Sequence, residues 1–343
     1  MTKAVFSGKL QIGGGAPVSI QSMTNTDTRD VEATARQIDE LAALGADLVR
    51  VSIPDKAAAL AFKEIKAKIN IPLAVDIHFD YRLALLAEGA DKVRINPGNI
   101  GGEKNIEILA KAMKERGVPI RVGANSGSIK KEFKHLPPAD ALVESALAEA
   151  ALLEKYGFFD IVISVKSSSV RTVYEANLKL SKLCSYPIHL GVTEAGVEHA
   201  SLIKSSAGIG ALLLSGIGDT IRVSIAGEPN REIIAAKTLL KALNLRNDAV
   251  EIVACPTCAR TSIDVERIAS ELTEKTAGFN LPLKIAVMGC VVNGVGEAED
   301  ADLGVFGAGE NPVIYLKGER YKTTSNADAA SDILALVEEH FIN

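Results

Sequence analysis

The 343-residue sequence predicts a (β/α)8 TIM barrel over residues 1–243, followed by a small α/β domain over residues 249–343. Two observations support this division. Eight short β-rich runs alternate with helical patterns over the first domain, which is typical of a (β/α)8 barrel. A polar stretch, residues 244–248, then leads into a second set of strands and helices that is long enough for a small α/β domain. The alternative for the first domain, a doubly wound open sheet, rarely contains eight units of such even length.

The barrel strands are predicted where β-branched and other apolar residues form short runs. Helical segments separate these runs; in residues 30–44, for example, apolar residues recur at helical spacing and Gly45 ends the pattern. The predicted strands are Val18–Met23, Leu48–Ile53, Leu73–Ile77, Lys92–Ile95, Val118–Val122, Ile161–Val165, Ile188–Val192 and Ile221–Ile225.

The second domain is predicted to contain four strands and two helices. Two of its strands are buried apolar runs that each lead to a cysteine, and the helices show an apolar face. The predicted strands are Val250–Ala254, Leu283–Met288 and two short ones near 303–306 and 312–316, and the predicted helices lie near 264–276 and 327–341.

Composition predicts a soluble cytoplasmic protein. Hydrophobic residues make up 47% and charged residues 24%, which is ordinary for a globular chain. No apolar run reaches transmembrane length and the start has no signal-peptide pattern, so no membrane association is expected. The net charge of −5 argues against nucleic acid as a partner. Only four cysteines fit a reducing cytoplasm.

Three cysteines of the second domain are predicted to lie together. Cys255 and Cys258 follow one strand, so their sulfurs can lie close to each other, and Cys290 follows a second strand. Three thiolates at one place indicate a metal centre, because a disulfide would leave one of them over. The fourth cysteine, Cys184, lies near the end of a predicted barrel helix, where we expect it to fill the core.

The ligands favour an iron–sulfur cluster over zinc. Structural zinc is usually held by four nitrogen or sulfur ligands in two short pairs, and Cys290 has no second cysteine near it. Iron–sulfur clusters also take thiolates from C-x2-C elements. With three cysteines, one iron is left for an oxygen ligand or a substrate, and Glu297 is the obvious oxygen ligand. Buried structural thiols without a metal are the remaining alternative.

Five cations are predicted to point into the barrel. Four are arginines between two β-branched residues that suit the helix layer, and the fifth ends the sixth strand. They are Arg50, Arg94, Arg121, Arg222 and Lys166. An internal ion-pair network with Asp76 and Glu194 is the alternative, but two acids do not neutralise five bases. The surplus favours a bound polyanion, and because guanidinium groups suit phosphate oxygens we expect a diphosphate ester.

Other polar residues follow the same strands, at the barrel face where active sites form. Of the five histidines, only His78 has a position there. The others in this group are Thr24, Asn25, Ser52, Asn96, Asn99, Asn125, Ser126, Ser167, Thr193 and Ser224.

The short linker suggests that a complete site needs two chains. The eighth helix returns the chain to the bottom of the barrel over about 18 Å, and the five-residue linker spans at most roughly 17 Å. The thiols of a chain should therefore lie far from its own arginines. A head-to-tail homodimer would bring the thiols of one chain to the cations of the other.

Several strings resemble the 4-hydroxy-3-methylbut-2-enyl diphosphate synthase family, in its bacterial two-domain form. The resemblance covers nearly the whole chain and its motifs are specific. The strings include Val75-Asp76-Ile77-His78-Phe79, Arg94-Ile95-Asn96-Pro97-Gly98-Asn99, Thr193-Glu194-Ala195-Gly196, Gly216-Ile217-Gly218-Asp219-Thr220-Ile221-Arg222, Ala254-Cys255-Pro256-Thr257-Cys258 and Gly289-Cys290-Val291-Val292-Asn293-Gly294.

The resemblance implies an oxidoreductase of the methylerythritol phosphate route to isoprenoids. Its family opens 2-C-methyl-D-erythritol 2,4-cyclodiphosphate by two-electron reduction, with electrons from flavodoxin or ferredoxin, at a site shared between two subunits. The implied [4Fe–4S] ligands are Cys255, Cys258, Cys290 and Glu297. The implied substrate-binding residues are Arg50, Arg94, Arg121, Asn125, Lys166, Arg222 and Ser224, with Asp76 completing the pocket.

Two further roles follow from the same resemblance. Glu194 is expected to handle protons at the departing oxygen, and Asn293 to contact the substrate from beside the cluster. The run Glu297-Ala298-Glu299-Asp300 offers three acids, so the choice of Glu297 as a ligand depends on the family spacing.

Two alternatives remain open on the sequence. One is a TIM-barrel pterin-type transferase with a structural zinc domain, since such enzymes also have cations at the barrel mouth. The other is a metal-dependent binding module without enzymatic activity, which the cationic mouth and Glu194 disfavour.

Overall fold

The computed structural model describes residues 1–292, 300–309 and 311–342. The chain forms two compact units, Met1–Leu239 and Leu240–Asn343. No helix among the described residues has the combination of length and apolar character that crossing a bilayer requires.

The first unit is a barrel of eight parallel strands. Their order is β8-β7-β6-β5-β4-β3-β10-β9, and a parallel bridge between Ile163 and Ile188 brings the two end strands together. A two-stranded hairpin, β1 (Val5–Ser7) and β2 (Leu10–Ile12), precedes the barrel. The strands are β3 (Ser19–Met23), β4 (Leu48–Ser52), β5 (Leu73–Asp76), β6 (Lys92–Arg94), β7 (Ile120–Asn125), β8 (Ile161–Lys166), β9 (His189–Leu190) and β10 (Thr220–Ile221). The predicted TIM barrel is confirmed.

Helices follow the strands and cover the barrel. The first shows why they form: Asp30 caps its start by accepting from the N–H of Ala33, and Ile38 and Leu41 are fully buried on one face. The helices are α1 (Val31–Ala43), α2 (Lys56–Lys68), α3 (Tyr81–Leu86), α4 (Glu103–Arg116), α5 (Pro138–Glu154), α6 (Val170–Leu183), α7 (Glu198–Leu214) and α8 (Pro229–Ala242). Short 3-10 turns lie at Pro97–Asn99 and Lys131–Phe133.

β9 and β10 are shorter than the sequence predicts. The alternating pattern of apolar residues after Ile221 continues to Ile225, but the strand does not. The backbone N–H of Ile225 donates at 3.2 Å to the Glu232 carboxylate of α8 instead of to a neighbouring strand. The Glu232 side chain therefore accepts the hydrogen bond that a neighbouring strand would accept if β10 continued to Ile225.

The second unit is a five-stranded sheet in chain order, packed against helices. β11, β12 and β13 pair in parallel, and β13, β14 and β15 are antiparallel. A core of buried residues, including Ile285, Leu303 and Ile333, joins the sheet to the helices. The elements are β11 (Glu251–Ala254), α9 (Val265–Thr276), β12 (Lys284–Met288), β13 (Leu303–Ala308), β14 (Asn311–Leu316), β15 (Glu319–Thr323) and α10 (Ala329–Phe341).

Candidate active site

The five predicted cations come from β4, β6, β7, β8 and the residue after β10. Side-chain exposure is only 12% for Arg50, 17% for Arg94 and 20% for Arg222. Burial lowers the pKa of Lys166, and the charges of Arg121 and the other arginines lower it further. Burial and neighbouring arginines likewise lower the pKa of Arg121. The structure brings the five cations together in one lumen.

Asp76, the last residue of β5, is the acid that Arg50, Arg94 and His78 contact. Its Oδ1 accepts from Nη1 of Arg94 at 3.0 Å, while Oδ2 lies 3.7 Å from Nε of Arg50 and 3.4 Å from Nε2 of His78. Burial alone would raise the pKa of Asp76. The charge of Arg50, the hydrogen bond from His78 and the remaining cations outweigh burial and hold that pKa below its usual value. Asp76 is therefore ionised at neutral pH.

Glu232, in the first turn of α8, is a second buried acid that sequence reasoning missed. Its carboxylate oxygens accept hydrogen bonds from Nε and Nη2 of Arg222, each at 3.1 Å. The hydroxyl of Ser22 donates to it as well, at 3.2 Å. A glutamate in the first turn of a helix is common for helix stability alone, so the sequence carried no further signal for this role.

Glu194, the second acid of the ion-pair network that was the alternative on the sequence, lies elsewhere. β9 ends four residues earlier, and Glu194 is exposed with a left-handed backbone, φ 47°. Within the described part of the chain it has no ion-pair partner. In the structure the acids that pair with the cations are Asp76 and Glu232, and Glu232 comes from a helix, not from a strand end. This group therefore contains five basic side chains and two buried carboxylates.

Two neutral residues, Met23 and Gly191, lie beside the cations and do not compensate their charge. The sulfur of Met23 lies 3.0 Å from Nη2 and 3.3 Å from Nε of Arg50, and 3.6 Å from Nη1 of Arg222. Because a thioether is a weak acceptor, Met23 orients these N–H groups but does not neutralise them. A Cβ on Gly191 would lie 2.7 Å from Nζ of Lys166, so glycine leaves the space that this side chain occupies.

Two predicted polar side chains lie at the same barrel face. Asn125 ends β7, and its Oδ1 accepts at 3.0 Å from the backbone N–H of Gly127, which fixes the turn after the strand. Ser224 lies two residues beyond Arg222 and is half-buried. These residues add amide and hydroxyl groups to the cationic mouth.

Two bases lie one layer deeper in the barrel, and sequence reasoning missed both. Lys92 and His189 are fully buried, and Nζ of Lys92 donates to Oε1 of Gln21 at 2.9 Å. Burial lowers the pKa of each base, and the cations nearer the mouth lower both further. A buried polar residue on a barrel strand was the only available signal.

Glu149 of α5 supports the strand that carries Arg121 and Asn125. Its carboxylate is 1% exposed and accepts at 3.0 Å from the backbone N–H of Gly123. Burial raises the pKa of Glu149 to about 7. In the unfolded chain the pKa is about 4.3, so ionisation of Glu149 destabilises the fold progressively as pH rises from that value to about 7.

Glu149→Gln should therefore be more stable than the wild type at pH 8, by roughly 3 kcal/mol. The amide oxygen still accepts from Gly123 but carries no charge. The difference should shrink as pH falls to 5, and urea denaturation at both pH values measures it. Glu144→Gln, an exposed position on the same helix, is the control. A difference that does not change with pH would contradict the assignment.

The cysteines of the second unit follow the carboxyl ends of two neighbouring parallel strands. Cys255 comes directly after β11 and Cys290 lies two residues beyond β12. The backbone N–H of Gly289 donates to Sγ of Cys255 at 3.0 Å. These strand ends place both segments at one edge of the sheet.

The two remaining members of the predicted donor set are the thiol of Cys258 and the carboxylate of Glu297. Cys258 is exposed, and the backbone N–H of Arg260 lowers its pKa, which favours the thiolate. All four cysteines are free thiols. Among the residues that the structure describes, no three His, Cys, Asp or Glu side chains form a ready metal group. Glu297 and Asn293 lie outside the described residues.

These features define the class of the protein: a two-domain TIM-barrel protein with a cationic mouth and a separate α/β unit that carries free thiols. The chain belongs to the GcpE family. The family model of the GcpE TIM-barrel domain matches residues 2–237, and that of the GcpE protein C-terminal domain matches residues 251–339. The resemblance drawn from the sequence motifs is confirmed.

Curated relatives match this chain over its full length. The protein of Caldanaerobacter subterraneus subsp. tengcongensis is 50% identical over 345 residues, 99% of this chain and 97% of its own. That of Fusobacterium nucleatum is 50% identical over 347 residues, 100% of this chain and 98% of its own. That of Thermotoga petrophila is 54% identical over 321 residues, which are 93% of this chain and 92% of its own. Each is described as 4-hydroxy-3-methylbut-2-en-1-yl diphosphate synthase (flavodoxin).

Solved structures resemble only part of this chain. Dihydropteroate synthase from Yersinia pestis has a TM-score of 0.53 at 13% identity, over 71% of this chain and 99% of that one. The Burkholderia cenocepacia dihydropteroate synthase, complexed with 7,8-dihydropteroate, has a TM-score of 0.52 at 15% identity. The match covers 71% of this chain and 96% of that one. Identity this low shows a shared fold only. The full-length family match therefore disfavours the pterin-type alternative.

Proposed function

We propose that this chain is a 4-hydroxy-3-methylbut-2-enyl diphosphate synthase. It would convert 2-C-methyl-D-erythritol 2,4-cyclodiphosphate into (E)-4-hydroxy-3-methylbut-2-enyl diphosphate, opening the ring and releasing a hydroxyl oxygen as water with two electrons and two protons. The observation that carries this proposal is the excess of five basic side chains over two buried carboxylates in the barrel lumen, in a chain that is about half identical to such enzymes over its length.

The cations would hold the diphosphate before and after ring opening. Burying even one unpaired cation costs several kcal/mol, and the phosphate oxygens of this substrate would compensate the surplus. Guanidinium forks suit such oxygens. Asp76 would keep two of the forks in place. The proposed binding residues are Arg50, Arg94, Arg121, Asn125, Lys166, Arg222 and Ser224.

The second unit would hold a [4Fe–4S] cluster through Cys255, Cys258, Cys290 and Glu297. Free thiols, one with a lowered pKa, fit this donor set. Metal sites commonly assemble only when the metal binds, which is consistent with the lack of a ready metal group among the residues that the structure describes. When bound, the cluster supplies electrons and a Lewis-acidic iron. The electrons would come from flavodoxin, which the names of the relatives include, with ferredoxin as an alternative.

The chain's own side chains would manage protons and orientation. Glu194 has a left-handed backbone, which is uncommon outside glycine and often marks a functional residue. We assign it the proton that accompanies the departing hydroxyl. Asn293 would orient the substrate from the cluster side.

Glu194→Gln should keep the visible spectrum of the cluster but lower kcat by at least about 100-fold. The amide has the same shape but holds no proton, so KM should change little. Steady-state kinetics under anaerobic conditions, together with iron content, test this. Full activity in that variant would remove Glu194 from the proposed role.

A head-to-tail homodimer is the proposed functional state, as the length of the linker in the sequence suggests. Mixing an Arg121→Gln chain with a Cys290→Ser chain would test it. If sites form between chains, some mixed dimers contain one site with both wild-type halves and activity should reappear. No recovery after subunit exchange would contradict the dimer.

The proposed function is tested by an anaerobic assay of the reconstituted protein with the cyclodiphosphate and reduced flavodoxin. We expect the linear diphosphate product and an iron–sulfur absorbance spectrum. A protein that holds zinc at its thiols, or that binds the cyclodiphosphate without converting it, would contradict the proposal.

A further inference from the structure

Glu232 is bound on several sides at the mouth of the barrel, and no role follows for it from the family motifs described above. Glu232 is only 4% exposed. One oxygen, Oε2, accepts from Nε of Arg222 and from the hydroxyl of Ser22; the other, Oε1, accepts from Nη2 of Arg222 and from the backbone N–H of Ile225. A carboxylate with four donors at 3.1–3.2 Å is held in one orientation.

The backbone around Arg222 gives its side chain little support of its own. β10 ends at Ile221; the backbone N–H of Arg222 still donates to the carbonyl oxygen of Leu190 at 3.0 Å, but that of Ile225 donates to Glu232, and neither contact holds the Arg222 side chain. The side chain of Arg222 could therefore adopt many rotamers, and ordering it costs conformational entropy. The Glu232 carboxylate removes this freedom because it engages one whole edge of the guanidinium group.

The same pairing decides which donors of Arg222 stay available. A guanidinium group has five N–H bonds, and Glu232 uses one on Nε and one on Nη2. Nη1 lies 3.6 Å from the weak acceptor Met23, so its N–H bonds keep most of their capacity for an anion. Three N–H bonds, on Nη1 and Nη2, remain for phosphate oxygens.

We infer that Glu232 is a positioning residue for the diphosphate site: it holds Arg222 by one edge so that the other edge meets the substrate. The inference rests on the proposed function for the identity of the anion. Glu232 touches no substrate in this scheme. It acts through Arg222, and the N–H of Ile225 helps to hold the Glu232 carboxylate in place.

Glu232→Gln tests the inference. The amide group would place N–H against the guanidinium edge, so Arg222 should lose its orientation. We expect Kd for the cyclodiphosphate, measured by calorimetry on the oxidised holoenzyme, to rise about tenfold or more, with iron content unchanged. Arg222→Ala should raise Kd at least as much. The double variant should bind no more weakly than Arg222→Ala, because a residue that acts through Arg222 has no effect once Arg222 is gone.

Two control variants keep the test decisive. Glu198→Gln breaks a different ion pair of α8, the exposed contact with Arg231, and should leave Kd unchanged. Ser22→Ala removes one donor to Glu232 without touching Arg222 and should raise Kd by a smaller factor. If Glu232→Gln does not fold, Ser22→Ala supplies the same comparison through a milder change. Circular dichroism and thermal melting check each variant.

The outcomes separate this inference from the proposed function. Wild-type protein that converts the cyclodiphosphate while Glu232→Gln, or in its absence Ser22→Ala, binds with unchanged Kd contradicts the inference alone. Additive losses in the double variant also contradict it, since they would mean that Glu232 acts independently. Wild-type protein that binds the cyclodiphosphate without turnover contradicts the proposed function alone. Wild-type protein that does not bind it contradicts both.

Discussion

Replacing Cys290 with serine is expected to abolish turnover by removing the metal centre. Cys290 lies two residues beyond β12, beside the strand end that carries Cys255. A serine hydroxyl is a poor ligand for iron because it stays protonated near neutral pH, whereas iron–sulfur clusters take thiolates. The anaerobically reconstituted variant should lack the visible absorbance of the wild type and contain little iron. Activity should fall to the background of the assay.

Cys184→Ser is the matched control for this substitution. Cys184 caps the end of α6 in the first unit, and burial raises the pKa of its thiol, so it has none of the character of a ligand. Its replacement should leave iron content and turnover unchanged. A Cys290→Ser protein that keeps both its iron and its activity would refute the assignment of this cysteine.

Asp76→Asn is expected to destabilise the barrel by about 3–5 kcal/mol at pH 7, because it leaves buried cations without their counter-charge. The carboxylate contacts Arg50, Arg94 and His78. An amide of the same size keeps the packing but cannot offset the repulsion between the two arginines. The free energy of unfolding from urea titration measures the loss. Asp27→Asn, which breaks an exposed pair with Arg29, should change that free energy very little.

The pH dependence of this effect has a definite sign. The folded state holds the pKa of Asp76 below its usual value, so ionised Asp76 stabilises the fold. That contribution is complete above the unfolded pKa of about 3.9 and is lost as pH falls through the lower folded value. The gap between wild type and Asp76→Asn should therefore persist from pH 7 to about 5 and narrow only in stronger acid. A gap that closes near pH 6 would mean that another group dominates.

The sequence was a good guide wherever one local pattern determines the structure. Apolar runs located all eight barrel strands, since a parallel strand is buried on both faces. The pattern failed for β15, whose five side chains are all exposed. Such an edge strand is defined by pairing with β14, and its charged residues hide it. The three-residue strands of the hairpin β1–β2 are too short to show a period.

The site was predictable to the extent that its residues lie on strands. Alternation alone placed Arg50, Arg94 and Arg121 towards the lumen. Glu232 could not be found in this way, because it comes from a helix and its role exists only through a contact with Arg222 that folding creates. The same holds for Met23, whose sulfur lies between two guanidinium groups.

The unbalanced charge of the lumen has a thermodynamic consequence. Without a bound anion, the like charges at one end of the barrel repel one another and destabilise the fold. Binding of an anion relieves this repulsion, and the relief contributes to the affinity for the anion. Thermal stability and tight anion binding therefore oppose each other. Substitutions that neutralise cations at the mouth would stabilise the protein and lower its affinity for the anion.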